Sequence, residues 1–189
     1  MLGAAHRAAA SFSTACPAIM THSFDIASVT SAKVRQLHAR WEQVRGARPM
    51  PARTDIDPSA IKPLLPNIVI ADVFHDPLRV RYRLVGTAVA ERARFDFTGT
   101  WLHEVDFREP KDWIALYEIF VREKRPLFDR SEIPFQDPVQ PPQPYEFCML
   151  PLSADGTTVT GMLSLEDYGA LSPLERTRLE KVKAKPPRA

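Results

Sequence analysis

The chain has 189 residues, 44% of them hydrophobic, which is enough for one domain with its own core and short for two. Lysine and arginine number 25 against 23 acidic residues, a formal net charge of +2, so bulk charge gives no indication of nucleic acid or another polyanion as partner. Cys16 and Cys148 lie far apart, outside any CxxC pair or histidine-containing ligand spacing, which argues against structural zinc or a disulfide scaffold, and no apolar run reaches the roughly eighteen residues of a membrane-spanning helix. A soluble, cytoplasmic protein without a metal site is expected.

Residues 1–30 read as a disordered N-terminal extension. Its first part is rich in alanine and small polar residues, and Arg7, Ser11, Ser13 and Thr14 interrupt the apolar centre that a secretory signal needs. A domain is expected over 31–168, then a C-terminal helix and basic tail over 169–189. From Ser31 to Arg45, Val34, Leu37, Trp41 and Val44 recur at spacings of three and four, the stripe of an amphipathic helix with Ser31 as N-cap and Gly46 as its stop. In DPSAIKPLLP, Asp57 caps a short helix with Pro58 at its first position, and Pro66 closes it.

NIVIADV, residues 67–73, is a continuous apolar run that reads as a strand buried on both faces. His75, Asp76 and Pro77 supply turn chemistry, and the alternation of Val80, Tyr82 and Leu84 with Arg81 and Arg83 gives the second strand of a hairpin. TAVAERAR suits a short helix, and a longer one is expected from Pro110 to Lys124 with Trp113, Leu116, Tyr117, Phe120 and Val121 on its apolar face. Pro126 to Phe135 reads as a strand, DPVQPPQP as an extended loop, and Tyr145 to Leu152 as a strand. Asp155 and Gly156 mark a tight hairpin turn to a last strand, Val159 to Leu165. The element order β-β-α-α-β-β-β predicts an α+β fold, a five-stranded antiparallel sheet with helices across one face and a pocket between the two.

The blocks WEQVRGARPMPARTDIDPSAIKPLLPNIVIADV, RYRLVGTAV, DFTGTWL and PLSADG, over residues 37 to 166, resemble a short, often stand-alone branch of the PAS superfamily found in alphaproteobacteria. The resemblance rests on the order of Trp41, Arg45 and Gly46, then Asp57, Pro58, Leu65 and Pro66, then Tyr82, Arg83, Leu84, Gly86 and Thr87, then Thr98 and Gly99. It implies a PAS-like five-stranded sheet and a role in signal sensing or protein–protein regulation, with no catalysis. It supplies no functional residues, because members of the branch mostly lack an agreed ligand. The segment from Ala90 to Phe97 departs from it in being more basic and aromatic.

Two PAS cofactors are disfavoured. Flavin-trapping members use a cysteine just after a glycine-asparagine pair beyond the second strand, which is absent here, and Cys148 between Phe147 and Met149 reads as a buried hydrophobe. Haem-binding members use a histidine on the helix facing the sheet, and the stretch from Pro110 to Lys124 has none, leaving only His103 nearby. Ser153 with Asp155 reads as turn chemistry rather than a nucleophile pair, and Glu104, Asp106, Glu166 and Asp167 as solvated charges.

The remaining signal is apolar and aromatic. Tyr82, Leu84, Trp101, Trp113, Tyr117, Phe120, Phe147, Met149 and Met162 are the candidate pocket residues, with plain core packing as the weightier alternative, since a domain this size needs most such side chains inside. YEFCMLPL is apolar on both faces, so a second layer must cover the outer one. Leu37, Trp41 and Val44 are the candidate cover, from the same chain or from a second copy as a homodimer. The expected function is a non-enzymatic regulator taking a small apolar ligand or a signalling protein partner. Its rivals are an isomerase or dehydratase with His103 or Asp96 as base, and a ligand-free adaptor.

Overall fold

The computed structural model describes residues 22–105, 112–133 and 143–169. The expected extension over 1–21, a helix start at Pro110, most of the proline-dense loop and the C-terminal helix with its tail lie outside the described residues.

Ser31 is extended, accepts the Val34 amide at its Oγ (3.1 Å) and so starts α1, Ala32–Arg45, as expected. Gly46 stops it at φ +57°. Asp57 then caps a 3-10 turn, Pro58–Asn67, through the Ser59 amide at 2.9 Å. The strands are β1, Ile68–Phe74; β2, Arg79–Val85; β3, Leu127–Ile133; β4, Gln143–Leu152; and β5, Gly161–Asp167. Between β2 and β3 come α2, Thr87–Ala93, and α3, Trp113–Glu123, the latter capped by Asp112 on the Ala115 amide. The five strands form one antiparallel sheet in the order β2-β1-β5-β4-β3, so the last strand returns to the centre beside the first. This is the predicted α+β architecture.

Three expectations need correction. The link from β4 to β5 is not a two-residue turn: Leu152 pairs with Gly161, and residues 153–160 form a longer loop that leaves Val159 outside the strand. Asp155 organises it by accepting the amides of Thr157 (2.8 Å) and Thr158 (2.7 Å) and the Ser153 hydroxyl (2.9 Å), and these donors hold its carboxyl well below the usual range. Residues 22–30 are not a disordered lead. Ser23 exchanges backbone hydrogen bonds with Phe128 (2.7 Å each), Val29 is buried, and Glu146 accepts the Thr30 and Ser31 amides at 2.9 and 2.7 Å. Finally, β2 is not regular. Ala71 pairs with Tyr82 but Ile70 with Leu84, so Arg83 is an extra residue and the two side chains leave the sheet on opposite faces.

α1 of the same chain covers the outer face. Phe128, Cys148, Leu165 and Ile68 lie side by side across β3, β4, β5 and β1, all almost fully buried. Val34, Leu37 and Trp41 pack down from α1, Val44 is half-buried, and the Trp41 indole donates to the Pro151 carbonyl at 2.9 Å. Leu37 and Trp41 are therefore occupied within the chain, and no second copy is needed to cover β4.

Candidate functional site: a cavity between the sheet and α3

The other face of the sheet is less completely filled. Alternation along the strands puts Val69 of β1, Tyr82 of β2, Phe147 and Met149 of β4, and Met162, Ser164 and Glu166 of β5 on one surface. Trp113 and Tyr117 of α3 roof this surface and Phe97 closes one end, enclosing a cavity of about 30 Å³. A space of that size holds on the order of one to three water molecules.

Its walls are part aromatic and part polar. Trp113 tilts against Phe147 with centroids 5.6 Å apart, and Phe97 meets Tyr82 edge-on at 4.8 Å. The buried phenols of Tyr82 and Tyr117 lie side by side on the cavity wall, close enough for each to bear on the other's ionisation. Burial pushes both phenols up, Tyr82 well above the ordinary tyrosine value, so at neutral pH each is an uncharged hydroxyl able to donate and accept. Ser164 adds a buried hydroxyl and Glu166 a carboxylate, which accepts a hydrogen bond from the Tyr168 hydroxyl. The Glu166 carbonyl accepts the Asn67 side chain at 2.8 Å, tying the end of β5 to the turn before β1.

Six of the nine candidate residues meet here: Tyr82, Trp113, Tyr117, Phe147, Met149 and Met162. Three do not. Phe120 is fully buried in the core below Tyr117 without lining the cavity. Leu84 is 40% exposed, thrown to the outer face by the bulge at Arg83. Trp101 pairs with Arg81 outside the edge of β2 and packs on Phe74. Val69, Phe97 and Glu166 escaped the pocket expectation, whereas Ser164 lines the cavity on the face it shares with Met162. The same period of two carries the missed signal for Glu166, because residues 162, 164 and 166 must share a face. The lining is mainly apolar, with the two phenols, Ser164 and Glu166 as its polar handles.

Cys148 faces α1, away from the cavity, and burial pushes its thiol up to about 12. Asp96 and His103 are exposed and line no part of the cavity. Among the described residues no group of three or more histidine, cysteine or carboxylate side chains is placed to hold a metal, and no helix is long and apolar enough to cross a membrane.

No curated protein matches the chain. Among solved structures it is similar to an RNA-binding Light-Oxygen-Voltage receptor, with 15% identity and a TM-score of 0.43 over 68% of this chain and 37% of that one. It is also similar to the light state of the blue-light photoreceptor Aureochrome1 LOV, with 10% identity and a TM-score of 0.38 over 66% and 97%. The chain thus spans 37% of the length of the first of these structures. The model of a family described as PAS domain matches residues 29–164, most of the chain and nearly all of the sheet with the helices packed on it. The chain belongs to the PAS domain family.

Proposed function

We propose that this chain is a non-catalytic sensory PAS module that binds a small polar ligand between its sheet and α3 and passes the signal on by association with a partner. The observation that carries this is the phenols of Tyr82 and Tyr117 beside Ser164 and Glu166, polar groups of both hydrogen-bonding senses lining one unfilled space. A ligand of more than a few atoms has to lift α3, because Trp113 and Tyr117 form the roof, and that displacement is the natural output of occupancy.

The site is small for flavin or haem, since pockets for such ligands run to about 300–1,000 Å³. The buried Cys148 on the opposite face supports the same view of flavin. An isomerase or dehydratase would need a base other than Asp96 or His103, neither of which borders the cavity. A cytoplasmic location and membership of the short alphaproteobacterial branch belong to this proposal, the latter supported by the block order.

Native mass spectrometry of the full chain purified without denaturation tests the proposal. A small excess mass, lost on denaturation and absent from Tyr82→Phe, is expected. A bare polypeptide mass, together with no rise in unfolding temperature across a library of small polar compounds, would instead make the protein a ligand-free adaptor.

A further inference from the structure

α1 does not cover the outer face evenly. It lies over β4 and β5, while at the free β1–β2 end Phe74 is 39% exposed. There the Phe74 and Trp101 rings stand 5.5 Å apart, with the Arg79 guanidinium 5.3 Å from the Trp101 centroid and 6.0 Å from that of Phe74. The Arg81 guanidinium lies 5.8 Å from the Trp101 centroid. Two arginines are thus held over aromatic rings at the edge of the sheet, their cationic planes already ordered.

Nearby carboxylates are committed elsewhere. Asp72 serves both Arg53 (2.9 Å) and Arg83 (3.1 Å), and Glu104 accepts the Trp101 amide at 2.9 Å. Arg81 donates Nε to the Gly99 carbonyl at 3.0 Å, and among the described residues no carboxylate lies within ion-pairing distance of Arg79 or Arg81. We propose that this ledge docks an acidic segment of a partner protein, a carboxylate side chain taking Arg79 and Arg81 and an apolar neighbour resting on Phe74.

Preordered guanidinium groups favour bidentate carboxylate recognition, and clusters of tryptophan and arginine are what dominate binding at protein interfaces. The backbone edge of β2 is already occupied at its middle, by Tyr82 N to the Thr100 carbonyl (2.9 Å) and Gly99 N to the Tyr82 carbonyl (2.6 Å). Recognition there goes through side chains rather than by adding a strand. A single nucleic-acid strand fits less well. It asks for a run of free cations and open ring faces, whereas Trp101 already carries two guanidinium groups and is stacked with His103 at 6.4 Å. The site is separate from the cavity, so it stands or falls independently of ligand binding there.

The test uses a phage-displayed random-peptide library selected against the full chain and against the double variant Arg79→Glu/Arg81→Glu, with unfolding temperatures confirming that both are folded. Peptides rich in Asp and Glu beside an aromatic or aliphatic residue are expected from the wild type. They should bind Arg79→Gln/Arg81→Gln about tenfold or more weakly, and the Glu variant should select basic peptides instead. Selected peptides without acidic bias, or undiminished binding to the Gln variant, would overturn the proposal. So would tighter binding of oligo(U) than of any selected peptide, or a concentration-dependent dimer, seen by light scattering, that disappears in the Gln variant.

Discussion

The two faces of the sheet are built from the same strands and differ in what they leave unfinished. Across the outer face the row Phe128, Cys148, Leu165, Ile68 is apolar and closed by α1, with the Trp41 indole anchored to Pro151. The inner surface, a side chain away on the same strands, carries Ser164 between Met149 and Val69 and Glu166 beside Phe147, and α3 stands over them with space beneath. A dry, filled interface contributes stability, each large side chain buried there contributing about 1.5–3 kcal/mol. A surface that keeps hydroxyls, a carboxylate and a void sacrifices some of that stability, and such an exchange is expected where something has to bind.

The contrast is sharpest under truncation. Trp41→Ala should cost about 3–5 kcal/mol in urea unfolding, through the lost burial and the cavity left under α1. The Pro151 carbonyl would also lose its partner. If Trp41→Ala proved no worse than a surface change, the outer face would not be the stabilising one. Gly86→Ala comes next, because a Cβ there would overlap the carbonyl oxygens of Pro66 and Leu65, where the chain after β2 crosses the turn before β1. Overpacking against backbone should cost about 1–3 kcal/mol, read as a lower urea midpoint. Tyr82→Phe leaves the ring and removes one hydroxyl, so about 1 kcal/mol is expected, with the larger effect on ligand binding.

The smallest effects are those of pH, and they separate the two faces by sign. Burial lowers the pKa of His38, whose ring lies beside Trp41 on α1 and packs down on Phe128. The Thr30 and Ser31 donors lower that of Glu146 against the opposing effect of its burial, and Ser31 and Lys33 likewise lower that of Asp167. Groups whose folded pKa is depressed contribute stability that is present above the unfolded value and lost as pH falls, beginning near about 6.5 for His38, about 4.5 for Glu146 and about 3.8 for Asp167. The raised phenols of Tyr82 and Tyr117 behave oppositely. Their contribution is intact below about 10 and is lost as pH rises through that value. Amide hydrogen exchange should accordingly show α1 opening first in acid and α3 first in alkali, and the reverse order would contradict the assignment of the faces.

Periodicity and capping chemistry made most of the fold legible. The Val34-Leu37-Trp41 stripe with Ser31 and Gly46 defined α1, Asp57-Pro58 defined the turn, alternation defined β2, and continuous apolar runs defined β1 and β4. What stayed hidden depends on single backbone events. One extra residue at Arg83 reverses the face of Leu84, and no residue type announces a bulge there. The Asp155-Gly156 pair resembles a two-residue turn in sequence, but the Asp155 carboxylate gathers three donors and opens a longer loop. Glu166 was misjudged because a charged residue at a strand end is ordinarily solvated, and only tertiary placement beneath α3 reveals otherwise. Trp101 resembles a core residue by type, yet Arg79, Arg81 and Phe74 hold it at the sheet edge.

The three tryptophans sit in three different settings: Trp41 on the buried side of α1, Trp101 on the ledge beside β2 and Trp113 over the cavity. Fluorine NMR of the chain labelled with 5-fluorotryptophan, its resonances assigned by single Trp→Phe variants, therefore reports each region separately during titration with a library of small polar compounds. A saturable shift of the Trp113 resonance with Trp41 unmoved, abolished by Ser164→Leu, is the predicted result. Compounds that bind while moving only Trp41 or Trp101, or a Trp113 resonance indifferent to every compound, would contradict the placement of the sensing site beneath α3.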